Sequence, residues 1–129
     1  MIVADTCVVL FEALQSRPLS TAALAALADA DLRGELCVLD ITLWEIAQLI
    51  SVGRLQVASD PQAFIEDCIA RRDMRVLPIT PAIAACAARV ELPKDPADRL
   101  IAAATLVHGA KLVTADERLR NAAWLPTIW

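Results

Sequence analysis

Four short apolar runs punctuate the chain: Ile2-Val3-Ala4, Leu36-Cys37-Val38-Leu39, Arg75-Val76-Leu77-Pro78-Ile79 and Lys111-Leu112-Val113-Thr114-Ala115. Runs of this length without polar alternation suit strands covered on both faces, as in a parallel sheet between helical layers. The intervening segments carry helix start signals. Thr80-Pro81 precedes Ala82 to Val90, Asp60-Pro61 precedes Gln62 to Arg72, and Asp95-Pro96 precedes Ala97 to His108. Each pairs a capping side chain with a proline whose missing N–H costs nothing in the first helical turn. His108-Gly109 closes the last of these helices. A further helix is expected over about Ser20 to Leu32, and Thr127-Ile128-Trp129 adds a short last strand. The class that follows is α/β, with helices flanking a short, mostly parallel sheet of four to five strands.

A chain of 129 residues reads as one domain, 1–129, able to bury roughly two-thirds of its unfolded surface. It has three glycines, seven scattered prolines and no low-complexity tract to mark a boundary. Although 57% of the residues are hydrophobic, no run approaches the ~18 to 20 apolar residues that span a bilayer. Ile2 to Ala4 is too short for a signal-peptide core and no basic segment precedes it, so the expected location is the cytoplasm, away from membranes. Cys7, Cys37, Cys68 and Cys86 stand singly without a C-x-x-C pair, which favours buried reduced thiols over a zinc knuckle or a disulfide framework. Sixteen acids against twelve Lys and Arg give a net charge of −4. Any nucleic-acid binding must therefore be local or come from an oligomer rather than be a property of the whole surface.

The acids carry the chemistry, and each has an ordinary alternative. Asp98 falls at the third position of its helix, where the dipole and free amides welcome a carboxylate. The face that carries it, however, continues through Ile101, Ala102 and Thr105 toward the core, and an inward carboxylate needs partners or a cation. Thr42-Leu43-Trp44-Glu45 matches a capping box, yet the helix it opens is apolar on most of its surface. Asp5 and Asp116 each follow a strand-like run at its carboxyl end, where open α/β sheets place their ligand crevice; turn-forming Asx geometry is the other reading. If all four met in one crevice, repulsion would raise their pKa values and a divalent ion would remove the penalty. All-oxygen ligation suits Mg²⁺ or Mn²⁺ better than zinc.

Three segments carry a resemblance: "IVADT" at the start, "ITLWEIAQLISVGRL" after the second strand and "DPADRLIAAATLVHGAKLVTADERL" near the end. In their order and spacing over nearly the whole chain they resemble a PIN-domain ribonuclease, specifically a VapC-type toxin of a bacterial toxin–antitoxin pair. The resemblance implies the three-layer PIN-like fold and a Mg²⁺-dependent endoribonuclease, Mn²⁺ being the other candidate ion. It places the acidic quartet on Asp5, Glu45, Asp98 and Asp116, as catalytic groups and metal ligands alike. Thr6 and Thr114 match positions that support those acids by hydrogen bonding. The implied partners are the RNA substrate, a second copy of the chain in a homodimer and a VapB-type antitoxin lying across the site. A metal-activated water would hydrolyse the phosphodiester, leaving a 5′-phosphate and a 3′-hydroxyl.

Other residues fill out the expectation. Arg99 beside Asp98 and Arg118 beside Asp116 are candidates for RNA phosphates, with ion pairing as the alternative for each. Asp40 is either a fifth acid of the pocket or, the favoured reading, a cap for the next helix. Trp44 is expected in the core or on a dimer face rather than stacked on a base. His108 has no second imidazole to work with and reads as a helix-end residue. Arg71, Arg72 and Arg75 read as a solvated helix end. A haloacid-dehalogenase-like phosphatase would need an aspartate where Cys7 stands, and no glycine-rich phosphate loop is present. The non-enzyme alternative is a PIN-fold protein whose site serves only to dock a partner.

Overall fold

The computed structural model describes residues 1–92 and 95–129; Pro93 and Lys94, which open the PKDPADRLI stretch, lie outside the described residues. Its elements in order are β1 (Ile2–Ala4), α1 (Thr6–Leu14), α2 (Thr21–Leu32), β2 (Leu36–Leu39), α3 (Ile41–Ser51), α4 (Pro61–Ala70), β3 (Arg75–Leu77), α5 (Pro81–Ala87), α6 (Pro96–Val107), β4 (Lys111–Val113), α7 (Glu117–Arg120) and β5 (Thr127–Ile128). The strands form one sheet in the order β3-β2-β1-β4-β5, and every pairing is parallel. The chain therefore builds outward from β1 through β2 to β3, then returns to the other side of β1 for β4 and β5. That reversal makes the carboxyl ends of β1 and β4 the switch point of the sheet, where the flanking connections part and leave a crevice.

Period-2 alternation sorts the strand side chains into two cores. Val3, Cys37, Leu39 and Leu112 face one layer, where they pack with Ile83 of α5 and Ile101 of α6. Ile2, Ala4, Leu36, Val38 and Val113 face the other, against Val8 and Val9 of α1, Leu27 of α2 and Ile46 of α3. Burial on both faces is why these runs lack polar alternation. The result is the expected three-layer α/β architecture, with the sheet at its upper count of five strands.

The cap signals act as chemistry requires. Asp60 accepts from the Ala63 N–H at 3.1 Å, Thr80 from Ile83 at 3.2 Å and Asp95 from Ala97 at 3.0 Å; Ser20, expected inside its helix, is also a cap and accepts from Ala23 at 3.0 Å. Gly109 takes φ +60 after α6, a left-handed conformation that favours glycine. The third strand stops at Leu77, short of the expected Ile79. Pro78 has no N–H for the ladder, and the Ile79 N–H goes instead to Asp40 Oδ2 at 3.0 Å.

Two expectations need correction. Asp40 stands at the N-cap position of α3 but makes no side-chain cap bond; its backbone is already helical, and the carboxylate accepts from the Ile79 N–H just beyond β3 instead. Trp44 is 58% exposed, so it is not a core aromatic. The four cysteines are free, Cys37 and Cys68 buried, Cys7 and Cys86 half-buried. Among the described residues no helix is long and apolar enough to cross a membrane.

Candidate active site

Asp5, Glu45, Asp98 and Asp116 all line one cavity of about 300 Å³, together with Thr6, Cys7 and Arg17. They arrive from four separate segments. Asp5 follows β1, Asp116 follows β4 by way of Thr114, Glu45 lies on α3 and Asp98 in the first turn of α6. The sheet's switch point and the packing of α3 against α6 bring them together.

Asp5 is the most enclosed, at 5% exposure. Fully buried Thr114 donates its hydroxyl to Asp5 Oδ2 at 2.6 Å, and the Cys7 thiol donates to the same oxygen at 3.3 Å. Burial nonetheless holds the Asp5 carboxyl above the usual carboxylate range, since desolvation outweighs these two bonds. The Cys7 thiol is itself pushed up to about 12 by burial and by the charge of Asp5; it stays protonated and remains a donor. Thr114 has a second task, because its oxygen accepts the Asp116 N–H at 3.0 Å. One hydroxyl thus fixes two of the four acids.

Glu45 was open to a capping-box reading, which the structure does not realise. Helix α3 begins at Ile41, and Thr42 is fully buried with its Oγ1 3.1 Å from Thr6 Oγ1. Thr6 in turn donates to Glu45 Oε1 at 2.5 Å. Burial raises the Glu45 carboxyl to about 7, with Asp5, Asp95 and Asp98 adding repulsion. Asp98 is raised to about 6, again chiefly by burial and then by Asp95 and Asp5. The expected mutual repulsion is present, but loss of water contributes more. Asp95 and Asp98, three apart, divide the two roles between them: Asp95 caps α6, while Asp98 faces the cavity at 14% side-chain exposure.

Asp116 behaves oppositely. It accepts from the Arg118 N–H at 2.8 Å and from its guanidinium at 2.6 Å, and these bonds hold its carboxyl below the ordinary value. The same guanidinium reaches Asp98 Oδ2 at 3.1 Å, so Arg118 bridges two of the four acids. Arg99 turns away from the cavity and donates to the Val90 carbonyl at 3.1 Å. Asp40 is not among the lining residues.

The donor set suits a hard divalent cation. All four groups are carboxylates, and Asp5 Oδ1 and Glu45 Oε2 carry no side-chain hydrogen bond among the described residues. Among the described residues no three potential ligands already stand in a metal-holding group; Arg118 supplies the positive charge between Asp98 and Asp116. Thr42, Cys7 and Arg17 are polar groups at or beside the cavity that the sequence reading passed over as site residues. Thr42 sits in an apolar helical pattern, Cys7 reads as a buried thiol, and Arg17 lies in a loop with no motif around it.

Valine at Thr114 keeps the shape and removes both hydrogen bonds. Losing such a supporting group is expected to weaken metal affinity about 10- to 100-fold, read as the Mg²⁺ concentration giving half-maximal thermal stabilisation. Unchanged affinity would show that Thr114 does not position Asp5.

Comparison with known proteins identifies the family. The PIN domain family model matches residues 2–125. Ribonuclease VapC22 of Mycobacterium tuberculosis is 37% identical over 119 residues, covering 91% of this chain and 88% of that protein. The fold is shared with DNA-bound VapBC from Salmonella typhimurium, with a TM-score of 0.69, 21% identity and coverage of 98% of this chain and 95% of that one. It is shared too with FitAcB from Neisseria gonorrhoeae, with a TM-score of 0.66, 24% identity and coverage of 98% and 96%. With the family match running almost end to end and the acids gathered at the sheet's switch point, this chain belongs to the PIN domain family.

Proposed function

We propose that the chain, acting as one PIN domain over 1–129, is a metal-dependent endoribonuclease and the toxin of a toxin–antitoxin pair. The observation that carries this reading is the convergence of Asp5, Glu45, Asp98 and Asp116 on one cavity, supported by the likeness to Ribonuclease VapC22. When bound, a divalent cation of the Mg²⁺ or Mn²⁺ kind supplies charge that withdraws electrons from a phosphodiester and acidifies a water. Asp5 and Glu45 would help hold such a cation, since each keeps one carboxylate oxygen without a side-chain hydrogen bond among the described residues. Thr6 and Thr114 fix the two carboxylates in place, so little reorganisation is needed when charge develops at the phosphate. Asp98 and Asp116 would complete the ligand set, and Arg118, which pairs with both and is 54% exposed at its side chain, would then be available to contact the RNA. Arg99, half-buried and engaged with Val90, is the weaker candidate for that contact.

The partners follow from the same site. An antitoxin segment of VapB type covers the cavity, and exposed Trp44, next to Glu45 on α3, offers it or a second copy of the chain an apolar surface. The expected setting is the cytoplasm, where the RNA is. One observation favours a second reading, a catalytically silent partner-binding protein: Arg118 already balances two of the acids.

Total RNA incubated with the purified chain decides between them. Cleavage with Mg²⁺ or Mn²⁺, none with chelator, and fragments ending in 5′-phosphate and 3′-hydroxyl are expected. Intact RNA under every metal condition supports the silent reading.

A further inference from the structure

The cavity that gathers four acids also holds one cation that none of them has claimed. Arg17 is the single basic side chain among the described residues lining it. Its guanidinium carbon lies 5.3 Å from the centroid of the Phe11 ring and 5.6 Å from that of Trp129, within the range of a cation–π contact. Most other arginines with contacts here are taken. Arg33 pairs with Asp29 and Glu35, Arg72 with Glu12 and Asp31, Arg118 with Asp98 and Asp116, and Arg99 donates to a carbonyl. Among the described residues Arg17 makes no ion pair, and its N–H groups have no acceptor.

The surroundings hold this unpaired charge in place. Arg17 sits in the connection between α1 and α2, exposed, between Gln15 in the left-handed region at φ 49 and Pro18. The residue before a proline is restricted to extended backbone, which stiffens the loop. Phe11 comes from α1, and Trp129 follows β5 at the sheet edge, so elements far apart in the chain converge on one side chain. Stacking spares a flexible cation much of the entropy it would lose on gripping a ligand, while its N–H edges stay available.

The position defines the ligand. Phe11 and Arg17 line the acidic cavity and also a second, mostly apolar cavity of about 400 Å³ that includes Pro18, Leu19 and Leu24. A cavity of carboxylates repels the phosphates on either side of the one being cut, and a guanidinium at its edge offsets that locally. We propose that Arg17 binds the RNA phosphate next to the scissile one, with Phe11 and Trp129 holding its guanidinium over the divide and the neighbouring base directed toward the second cavity. The inference rests on the ribonuclease reading above and adds to it a residue that sets how the strand lies.

Steady-state cleavage of randomised single-stranded RNA carrying a fluorophore and quencher, in Mg²⁺ and across about 50 to 300 mM NaCl, tests it. Arg17→Ala and Arg17→Gln are expected to raise KM about tenfold and leave kcat within about twofold. They should also flatten the slope of log kcat/KM against log salt by about 0.7, the loss of one phosphate contact on a single strand. Arg17→Lys should keep the slope with an intermediate KM, because the charge remains and the stacked fork does not. Trp129→Ala should raise KM about threefold with the slope unchanged, since it removes the support and leaves the charge. A merely structural Arg17 would lower the melting temperature without touching the slope, and that result overturns the proposal. So does a parental KM and slope in both Arg17→Ala and Arg17→Gln while the parent cleaves, which leaves the ribonuclease reading standing. A parent that cleaves no RNA in Mg²⁺ or Mn²⁺ overturns that reading and this inference with it.

Discussion

Asparagine at Asp98 is expected to lower Mg²⁺-dependent RNA cleavage roughly a thousandfold or more while the protein folds as before. The substitution keeps the side chain's size and one oxygen but removes the charge that would hold a cation at the mouth of α6. Lewis-acid stabilisation of a phosphoryl transition state is worth several kcal/mol, and about 4 kcal/mol corresponds to a factor of a thousand. Folding should survive because Asp98 caps nothing: the α6 cap bond belongs to Asp95. Removing a carboxylate that burial raises to about 6 relieves a desolvation penalty rather than adding one. Single-turnover cleavage and thermal melting measured on the same preparation make the comparison. Cleavage at the parental rate by the asparagine variant would remove Asp98 from the site, and asparagine at Asp5 tests the opposite wall in the same way.

Millimolar Mn²⁺ or Mg²⁺ is the second large effect, and its size should depend on pH. A ligand that binds only the folded state at a hundred times its Kd stabilises by about 2.7 kcal/mol, or roughly 10 °C for a domain of this size. Glu45 rises from 4.5 to about 7 and Asp98 from 3.8 to about 6, and Asp5 also rises. Near pH 5 the folded protein therefore holds protons on carboxyls that the unfolded chain has largely released. A cation must displace those protons, so the shift should be small at about pH 5 and reach its full size at about pH 8.

The sign for the metal-free protein is fixed by the same groups. Where the folded state binds more protons than the unfolded one, stability falls as pH rises. The chelated protein should therefore lose stability from roughly pH 4 to 7 as Asp98 and Glu45 ionise in the folded state, and the metal should recover it. Asp116, with its carboxyl lowered by Arg118, contributes the other way: its stabilisation is present above the ordinary aspartate range and is lost only in stronger acid. A metal-induced shift that ignores pH, or one equally large in the doubly substituted Asp5→Asn, Asp98→Asn protein, would point to ion binding elsewhere.

Side chains whose surroundings lie nearby in sequence were legible before the fold was known. Asp60, Thr80 and Asp95 cap the helices they precede, because a cap bond spans two or three residues. Helix α1 was not marked, since Asp5 provides no side-chain cap and the segment after it is apolar without a polar face. Asp40 and Glu45 show the opposite failure. Both stand where a local pattern offers a cap, and both are drawn off by partners brought near through the sheet, the Ile79 N–H at 3.0 Å and the Thr6 hydroxyl at 2.5 Å. Trp44 was expected in the core or on a dimer face, and at 58% exposure it lies outside the core of the chain.

What the residues determined alone was the alternation of buried strands and capped helices, and with it the placing of acids after the strands, because periodicity and capping act within a few residues. What only the tertiary structure decided was which groups meet. Thr114 reaches Asp5 across 109 positions of chain, and Arg17 finds Phe11 and Trp129 from a loop without a motif. Those encounters depend on the reversal of strand order beside β1 and on side-chain directions set by packing between layers, and neither is written in any local stretch.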